Sequence, residues 1–271
     1  MPELAEVEFF RRRWNPGLKK AVRSVHLNPK ARVGRGLAVK ILSHALVGKM
    51  LESSLAAAKQ MAFRFEGGAC VGVHLGMTGR LECGNAKRAP TPHDHFVLTM
   101  SGGTELVFVD PRQFGRILFW QGDGLPPWWE KIPPAILSDA FTVDVVHAFL
   151  RRRARTPIKA VLLMQERFPG IGNWMADEVL WRAGFHPKAK AGGFGPKAVR
   201  KLHTTLHQVC TDAMDVIGTN WSDPPDSWLF NHRWKEGGRC PRSKKPLVRE
   251  NVGGRTTCWS PERQKLGAER S

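Results

Sequence analysis

The sequence predicts an α+β fold, in which a β-rich first half precedes a helical second half and a small terminal β-hairpin. Short apolar or alternating runs bounded by Gly, Pro and Asp fill the first half. From about Thr142 onward, apolar residues follow the helical period of 3.6. At 271 residues, the chain has room for two modest domains.

The elements follow in order along the chain. A helix is predicted at the start, because Leu4, Val7, Phe10 and Trp14 recur at helical spacing. Strands are predicted over 71–75, 96–100 and 106–109. Helices are predicted within 145–150, 158–163, 175–183 and 202–216, interrupted by glycine-containing stretches at 169–173 and 191–195. Residues 232–271 are basic and carry two glycine pairs, which predicts a hairpin appendage.

The charge of the chain points to a polyanionic partner. Lys and Arg total 42 against 24 acidic residues, which gives a net charge of +18 and a pI near 10.3. Such an excess generates a strong positive field that attracts nucleic acid. An anionic membrane surface is the rival partner, but no polybasic amphipathic anchor or bilayer-spanning apolar stretch is present.

The cysteines and the first residues predict an intracellular protein, in the cytoplasm, nucleoid or nucleus. Five scattered cysteines do not form a disulfide framework: Cys70, Cys83, Cys210, Cys240 and Cys258. The residues after Met1 lack the basic and apolar regions of a secretory signal.

Pro2 and Glu3 are the first candidates for chemistry. Removal of Met1 would expose a secondary amine at Pro2, and an α-amino group titrates near pH ~8. Such an amine can condense with a sugar aldehyde to form an iminium, with Glu3 as a neighbouring general acid. Alternatively, Pro2 and Glu3 simply begin a helix.

A glycine-containing turn precedes a predicted helix at 169–178. Two glycines allow close approach to a phosphate, the helix N-terminus offers free N–H groups, and Asn173 can add an amide hydrogen bond. Lys159 and a run of arginines at 151–155 lie just upstream. The alternative is an ordinary turn between two helices.

Five segments together resemble the formamidopyrimidine-DNA glycosylase and endonuclease VIII family. They are Pro2–Glu8, His74–Gly79, Asp110–Gly115, Gly170–Asn173 and Ala176–Glu178, in the family's order. The resemblance implies an N-terminal β-sandwich with flanking helices, followed by a helix–two-turn–helix domain that ends in a finger-like β-hairpin. The expected division is a catalytic sandwich over 1–122, a linker over 123–141, the helical domain over 142–231, and the finger and tail over 232–271.

The resemblance also implies an activity and its residues. The expected protein is a monomeric, bifunctional glycosylase and abasic-site lyase that acts on double-stranded DNA containing damaged bases or abasic sites, without a cofactor. Pro2 matches the Schiff-base nucleophile and Glu3 the proton donor. Lys59 matches the lysine that assists β-elimination, and Arg255 the phosphate-binding arginine of δ-elimination.

Other positions match the family's DNA contacts. His93, Arg112, Lys159 and Asn173 are expected to bind DNA, and Met77, Arg112 and Phe114 to fill the space left by an extruded base. Taken singly, Met77 and Phe114 are more typical of a core, and Lys59 of a strand edge.

The chain departs from the family pattern in two places. The family's finger usually binds zinc through two Cys-x-x-Cys pairs, but Ser243 and Pro261 replace one cysteine of each pair, so we expect a zinc-less finger. The stretch 218–234 is shorter than the family's cap over 8-oxoguanine. A non-catalytic protein that binds damaged or abasic DNA on the same fold remains the alternative function.

Overall fold

The computed structural model describes residues 2–85 and 88–270 and contains two compact units. Met1 lies outside the described residues. Of these residues, the first unit contains Pro2 and residues 6–132, and the second contains residues 3–5 and 133–270. The expected linker over 123–141 is therefore shared between the units, and the four-part division stays a prediction.

The first unit is a β-sandwich with flanking helices, which confirms the predicted fold. Its strands are β1 (Val22–Leu27), β2 (Leu51–Ala57), β3 (Gln60–Phe65), β4 (Ala69–His74), β5 (Arg80–Asn85), β6 (Asp94–Met100), β7 (Thr104–Val109) and β8 (Arg116–Gln121). They form two antiparallel sheets, ordered β1-β6-β7-β5 and β2-β3-β4-β8. The helices are α1 (Leu4–Arg12), whose first turn belongs to the second unit, α2 (Val39–Leu46) and α3 (Pro127–Glu130).

Trp14 links the two sheets in the core of the first unit. Its side chain is fully buried, and its ring lies 4.6 Å from the ring of Phe63 in β3. The indole Nε1 donates hydrogen bonds to the carbonyl oxygens of Glu82 in β5 (3.1 Å) and Val107 in β7 (3.3 Å). Trp14, the last residue of the apolar pattern at helical spacing, thus both packs in the core and donates hydrogen bonds.

The second unit is helical and ends in a hairpin, as the sequence predicts. Its helices are α4 (Val143–Arg152), α5 (Ile158–Leu162), α6 (Asn173–Ala183) and α7 (Pro196–Ala213), which continues into a π-helical turn over Met214–Thr219. Thr142 caps α4 by accepting the Val145 N–H (3.3 Å), and Gly184 ends α6 with a positive φ of 76°.

The hairpin consists of β9 (Val248–Val252) and β10 (Arg255–Trp259), joined by Gly253 and Gly254. Both glycines have positive φ angles, 62° and 79°, as a two-residue hairpin turn of this twist requires. Cys240 and Cys258 pack with Trp181 of α6 and Leu229 in a small apolar cluster. Within residues 2–85 and 88–270, no helix is both long and apolar enough to cross a membrane.

Candidate active site

Glu3 is anchored at the start of α6. It is 3% exposed, and its Oε2 accepts hydrogen bonds from the backbone N–H groups of Gly172 (3.0 Å) and Met175 (3.1 Å). Its Oε1 accepts the N–H of Trp174 (2.9 Å). The first N–H groups of a helix have no acceptor within the helix and carry the positive end of its dipole. Three such donors suit the ionised form of the carboxylate.

Gly172 leaves the space that this carboxylate occupies. A Cβ atom at position 172 would lie 2.2 Å from Cδ and 2.4 Å from Oε1 of Glu3, distances at which the atoms would overlap. The N–H of Leu4 also donates to the carbonyl of Gly170 (3.0 Å). The glycine-containing turn expected to approach a phosphate is therefore also the turn that receives the first residues of α1.

Pro2 and Lys59 belong to the first unit. Pro2 is half-buried and directly precedes Glu3, so their Cα atoms are about 3.8 Å apart. Lys59 lies in the turn between β2 and β3. Burial, together with the charge of Lys59, lowers the pKa of His74. The neutral His74 ring accepts the Gly76 N–H at Nδ1 (3.1 Å).

Asp110 joins the two loops that carry the expected void-filling side chains. It is fully buried, and its carboxylate accepts hydrogen bonds from the Thr78 hydroxyl (2.7 Å) and the Gly115 N–H (2.7 Å). A Cβ atom at Gly76, whose φ is 64°, would lie 2.4 Å from the carbonyl carbon of Phe114. The two loops approach so closely that only glycine fits at position 76.

The side chains on these loops are exposed. Met77 is 41% and Phe114 54% exposed, so neither residue belongs to the core. The Arg112 guanidinium lies 4.8 Å from the centre of the Phe114 ring, within cation–π range. His93 is exposed, and its carbonyl accepts the Asp110 N–H (3.1 Å). The first unit therefore brings these four expected DNA-contacting residues to one region around Asp110.

Lys159, an expected DNA contact, is buried in the second unit. Its side chain has no exposed surface, and its Nζ donates to the Asp177 carboxylate (2.5 Å) and the Asn173 carbonyl (2.7 Å). The expected contact between Lys159 and a DNA phosphate stays a prediction, and in this structure its ammonium group is paired with Asp177. Burial lowers the pKa of Lys159, while the charge and hydrogen bond of Asp177 oppose that shift.

Asp177 holds α5, α6 and the finger together. Its second carboxylate oxygen accepts hydrogen bonds from Arg233 through Nη2 (2.6 Å) and Nε (3.2 Å), and from the backbone N–H of Cys258 in β10 (3.0 Å). Asp177 is 1% and Arg233 5% exposed. We call Lys159, Asp177 and Arg233 the Asp177 clamp.

Asn173 and Arg255 lie on α6 and the hairpin. The side-chain amide of Asn173 donates to the carbonyl of Thr256 (2.8 Å), which leaves one amide hydrogen for another acceptor. Arg255 is exposed and follows the Gly253–Gly254 turn, which presents its guanidinium to solvent.

The finger does not offer a tetrahedral zinc site. The Cys240 Sγ accepts hydrogen bonds from the Trp181 indole (3.4 Å) and the Ser243 backbone N–H (3.5 Å). Burial raises the pKa of Cys258 to about 12, whereas at Cys240 burial is outweighed by the hydrogen bonds from Ser243 and Trp181, which lower the pKa to about 7. Among residues 2–85 and 88–270, no three His, Cys, Asp or Glu side chains are grouped to hold a metal. These residues do not fit the four-ligand site of a zinc finger.

Two positioning residues were missed at the sequence level. Asp110 and Asp177 both lie in the quoted motifs, but the sequence does not show that each carboxylate gathers donors from distant segments. Their position directly after a predicted strand and inside an otherwise apolar helix was the available signal, since buried carboxylates require partners.

Comparison with known families gives two matches. Residues 1–117 match the formamidopyrimidine-DNA glycosylase N-terminal domain, and residues 132–223 match the formamidopyrimidine-DNA glycosylase H2TH domain. Together they cover most of the sandwich and most of the helical unit.

Similar proteins and structures agree with these matches. The chain is 36% identical to a formamidopyrimidine-DNA glycosylase of Thermus thermophilus and 34% to one of Solibacter usitatus, covering 98% of this chain and 100% of each relative. The crystal structure of MutM (Fpg) from Thermus thermophilus is similar with a TM-score of 0.79 at 32% identity, covering 98% of this chain and 100% of that one. A Lactococcus lactis formamidopyrimidine-DNA glycosylase, bound non-covalently to DNA containing an abasic site, shares the fold with a TM-score of 0.85 at 24% identity, covering 97% and 99%. The chain belongs to the formamidopyrimidine-DNA glycosylase family.

Proposed function

We propose that this protein is a bifunctional DNA glycosylase and abasic-site lyase of base excision repair. It removes oxidised or ring-opened bases from double-stranded DNA and cuts the strand by β,δ-elimination. The observation that carries the proposal is the Glu3 carboxylate, held by three backbone amides beside the residue that becomes the N-terminal amine. The family's activity supports it.

In the proposed reaction, Glu3 moves a proton to and from Pro2. Once Met1 is removed, most of the Pro2 amine is protonated at neutral pH, because an α-amino group titrates near pH ~8. The ionised Glu3 carboxylate takes one proton, which frees the nitrogen lone pair to attack C1′ of the damaged nucleotide. The bond from C1′ to the base breaks, and the base leaves with its electron pair and the second proton of the nitrogen.

Glu3 then donates the proton that it took from Pro2, and the sugar ring opens. The C1′–O4′ bond breaks, O4′ takes the proton from Glu3, and a cationic iminium forms between C1′ and Pro2. The iminium draws electrons from C2′, so that loss of a C2′ proton expels the 3′-phosphate, and a second elimination expels the 5′-phosphate. Lys59 and Arg255 are the proposed partners of these two phosphates.

Borohydride trapping on DNA with one abasic site tests this chemistry, because reduction of the iminium links protein and DNA covalently. We expect Pro2→Gly to lower trapping strongly and Glu3→Gln to abolish base excision. The exposed carboxylate of Glu52 provides a matched control, and Glu52→Gln should trap like the wild type. Unchanged trapping by a protein that mass spectrometry shows to retain Met1 would contradict the proposal, because an acylated Pro2 nitrogen cannot form an iminium.

The same measurement separates the enzyme from a non-catalytic binder. A protein that only recognises damaged or abasic DNA would retain affinity for the abasic duplex and give neither a trapped adduct nor a cut strand. The exposed Arg112 and Phe114 serve both functions, whereas the buried Glu3 carboxylate is needed only for the chemistry.

The stretch 218–234 shapes the proposed substrate range. Hydrogen bonds hold it in place at three points. The Ser222 N–H donates to the Val216 carbonyl (3.0 Å), and the Asn231 side chain donates to the Pro224 carbonyl (2.6 Å). The Phe230 N–H donates to Glu178 (3.1 Å). A short, fastened segment supplies little surface to close over a flipped base. We therefore expect ring-opened purines, abasic sites or oxidised pyrimidines to be processed faster than 8-oxoguanine.

We also propose that the protein works inside the cell as a monomer. All five cysteines are free in the structure, as suits a reducing compartment. The net charge of +18 suits a partner with one phosphate per nucleotide, rather than a second copy of the same basic chain.

A further inference from the structure

The second unit contains a cavity of about 620 Å³ that no candidate catalytic residue lines. The end of α6 and the following residues (Arg182–Phe185) form one wall, and the start of α7 forms another. Ser243 and the segment at 262–263 complete it. Since α6 rises about 1.5 Å per residue, the cavity lies about 15 Å along the helix from the end that binds Glu3.

Cations dominate the lining. Arg182, Lys197, Lys201 and Arg263 face one lining carboxylate, Glu262. Arg182 is paired with Glu178 (2.8 Å) and with Asp212, whereas the other three cations form no ion pair with any residue in 2–85 or 88–270. Within 2–85 and 88–270, the charges of these three cations are therefore not balanced by a paired carboxylate.

Two arginines have buried nitrogen donors that form no hydrogen bond with the described residues. The Nη2 of Arg182 and the Nε of Arg263 are buried, and neither finds an acceptor among residues 2–85 and 88–270. Buried donors of charged groups are normally paired, because an unmade hydrogen bond costs the whole desolvation of the group. Burial, together with the charges of Arg263 and Arg182, also lowers the pKa of the neighbouring Arg242. An anion bound between these arginines would reduce the repulsion between their charges.

We propose that this cavity binds a phosphate-bearing anion. A guanidinium offers a planar fork of donors that matches phosphate oxygens. Lys197 and Lys201 are four residues apart on α7 and therefore lie on the same face. The N-terminus of this 18-residue helix adds its positive dipole end and opposes the negative end of α6. The volume and the cation pairs on two walls suit a diphosphate or a phosphate ester.

Titration calorimetry with inorganic pyrophosphate at constant ionic strength tests the site. We expect Arg263→Gln to weaken binding about tenfold or more, and the exposed Lys201→Gln about threefold, since charge-assisted hydrogen bonds are lost. The adjacent Arg200 is exposed on α7 but does not line the cavity, so Arg200→Gln is the matched control and should bind like the wild type. Arg263 packs over Trp181, so Arg263→Gln removes a packing contact as well as a charge. Lys201→Gln is therefore a second test of the site that leaves this contact in place.

The salt dependence of binding to undamaged duplex DNA distinguishes a phosphate of the DNA backbone from a free phosphate. If the site takes a backbone phosphate, Lys201→Gln and Arg263→Gln each lower the salt slope of DNA binding by about 0.9, and Arg200→Gln does not. If it takes a free phosphate, the salt slope is unchanged and only pyrophosphate binding is lost. Equal pyrophosphate binding by all three variants, with unchanged salt slopes, would overturn the proposal.

Discussion

Replacing Asp177 with asparagine should be far more damaging than removing the lysine beside it. Asp177 accepts hydrogen bonds from both buried cations, Lys159 and Arg233, and has four N–H donors in total. Asp177→Asn keeps the size of the side chain but removes the carboxylate to which both buried cations donate. Loss of one partner from a buried ion pair costs about 3–5 kcal/mol.

Lys159→Met provides the contrast. It removes one cation and leaves Asp177 with Arg233 and the Cys258 N–H, a pair of balanced charge. The remaining loss is the donor to the Asn173 carbonyl, which is worth about 1–2 kcal/mol. The order of stability, with Lys159→Met above Asp177→Asn by about 1–4 kcal/mol, follows from charge balance rather than from the number of hydrogen bonds.

Differential scanning calorimetry measures this difference. For a chain of this size, 1 kcal/mol corresponds to a shift in Tm of roughly 2–3 °C, so Asp177→Asn should lower Tm by about 6–15 °C. Asp144→Asn, at an exposed carboxylate of α4, is the control and should shift Tm by less than about 3 °C. The charge-balance argument fails if Lys159→Met costs as much as Asp177→Asn.

The remaining predictions address zinc, the active-site glycine, DNA affinity, substrate and pH. Elemental analysis of tag-free protein should find well under one zinc per chain; stoichiometric zinc whose removal by chelators abolishes DNA binding would refute this. Gly172→Ala should lower single-turnover excision by at least about 100-fold while the protein stays folded by circular dichroism, because its Cβ displaces the Glu3 carboxylate. Normal excision would show that the carboxylate need not lie there. Asn173→Ala should weaken binding to every duplex alike, and a change in base preference alone would contradict that. Excision from matched duplexes, each with one lesion opposite cytosine, should be slow for 8-oxoguanine, and a fastest rate for that lesion would refute the short-segment argument. Burial raises the pKa of Asp94, but the hydrogen bonds from Arg88 and Thr91 and the charge of Arg88 outweigh burial and lower it to about 2. Its stabilisation is thus complete above pH ~4 and lost as the pH falls toward 2, and acid unfolding of Asp94→Asn should lack this component.

The sequence predicted the fold class because periodicity and glycine placement are local signals. The alternating run at 96–100 and the helical runs of the second half coincide with β6, α4, α6 and α7. Strands such as β2 and β5, which mix polar and apolar residues, gave no clear alternation and were missed. Their positions depend on pairing with neighbouring strands, which no local window contains.

The active-site predictions divided in the same way. Short motifs indicated Glu3 and the exposed Met77 and Phe114, whose expected roles depend on their own side chains. The motif match for Lys159 did not indicate its burial, because only the fold reveals its pairing with Asp177. A charged residue in a basic sequence can lie on the DNA-facing surface or inside an ion pair, and composition does not distinguish these positions.

The Asp177 clamp has a consequence for when this protein can work. Oxidised bases accumulate under the conditions that also convert cysteine thiolates to sulfenic acids and disulfides. A finger fastened by cysteine–zinc bonds shares that vulnerability, whereas carboxylate, ammonium and guanidinium groups do not react with peroxide. The clamp, with its bond to the Cys258 backbone N–H rather than to sulfur, therefore fastens the finger to α5 and α6 through groups that peroxide does not oxidise.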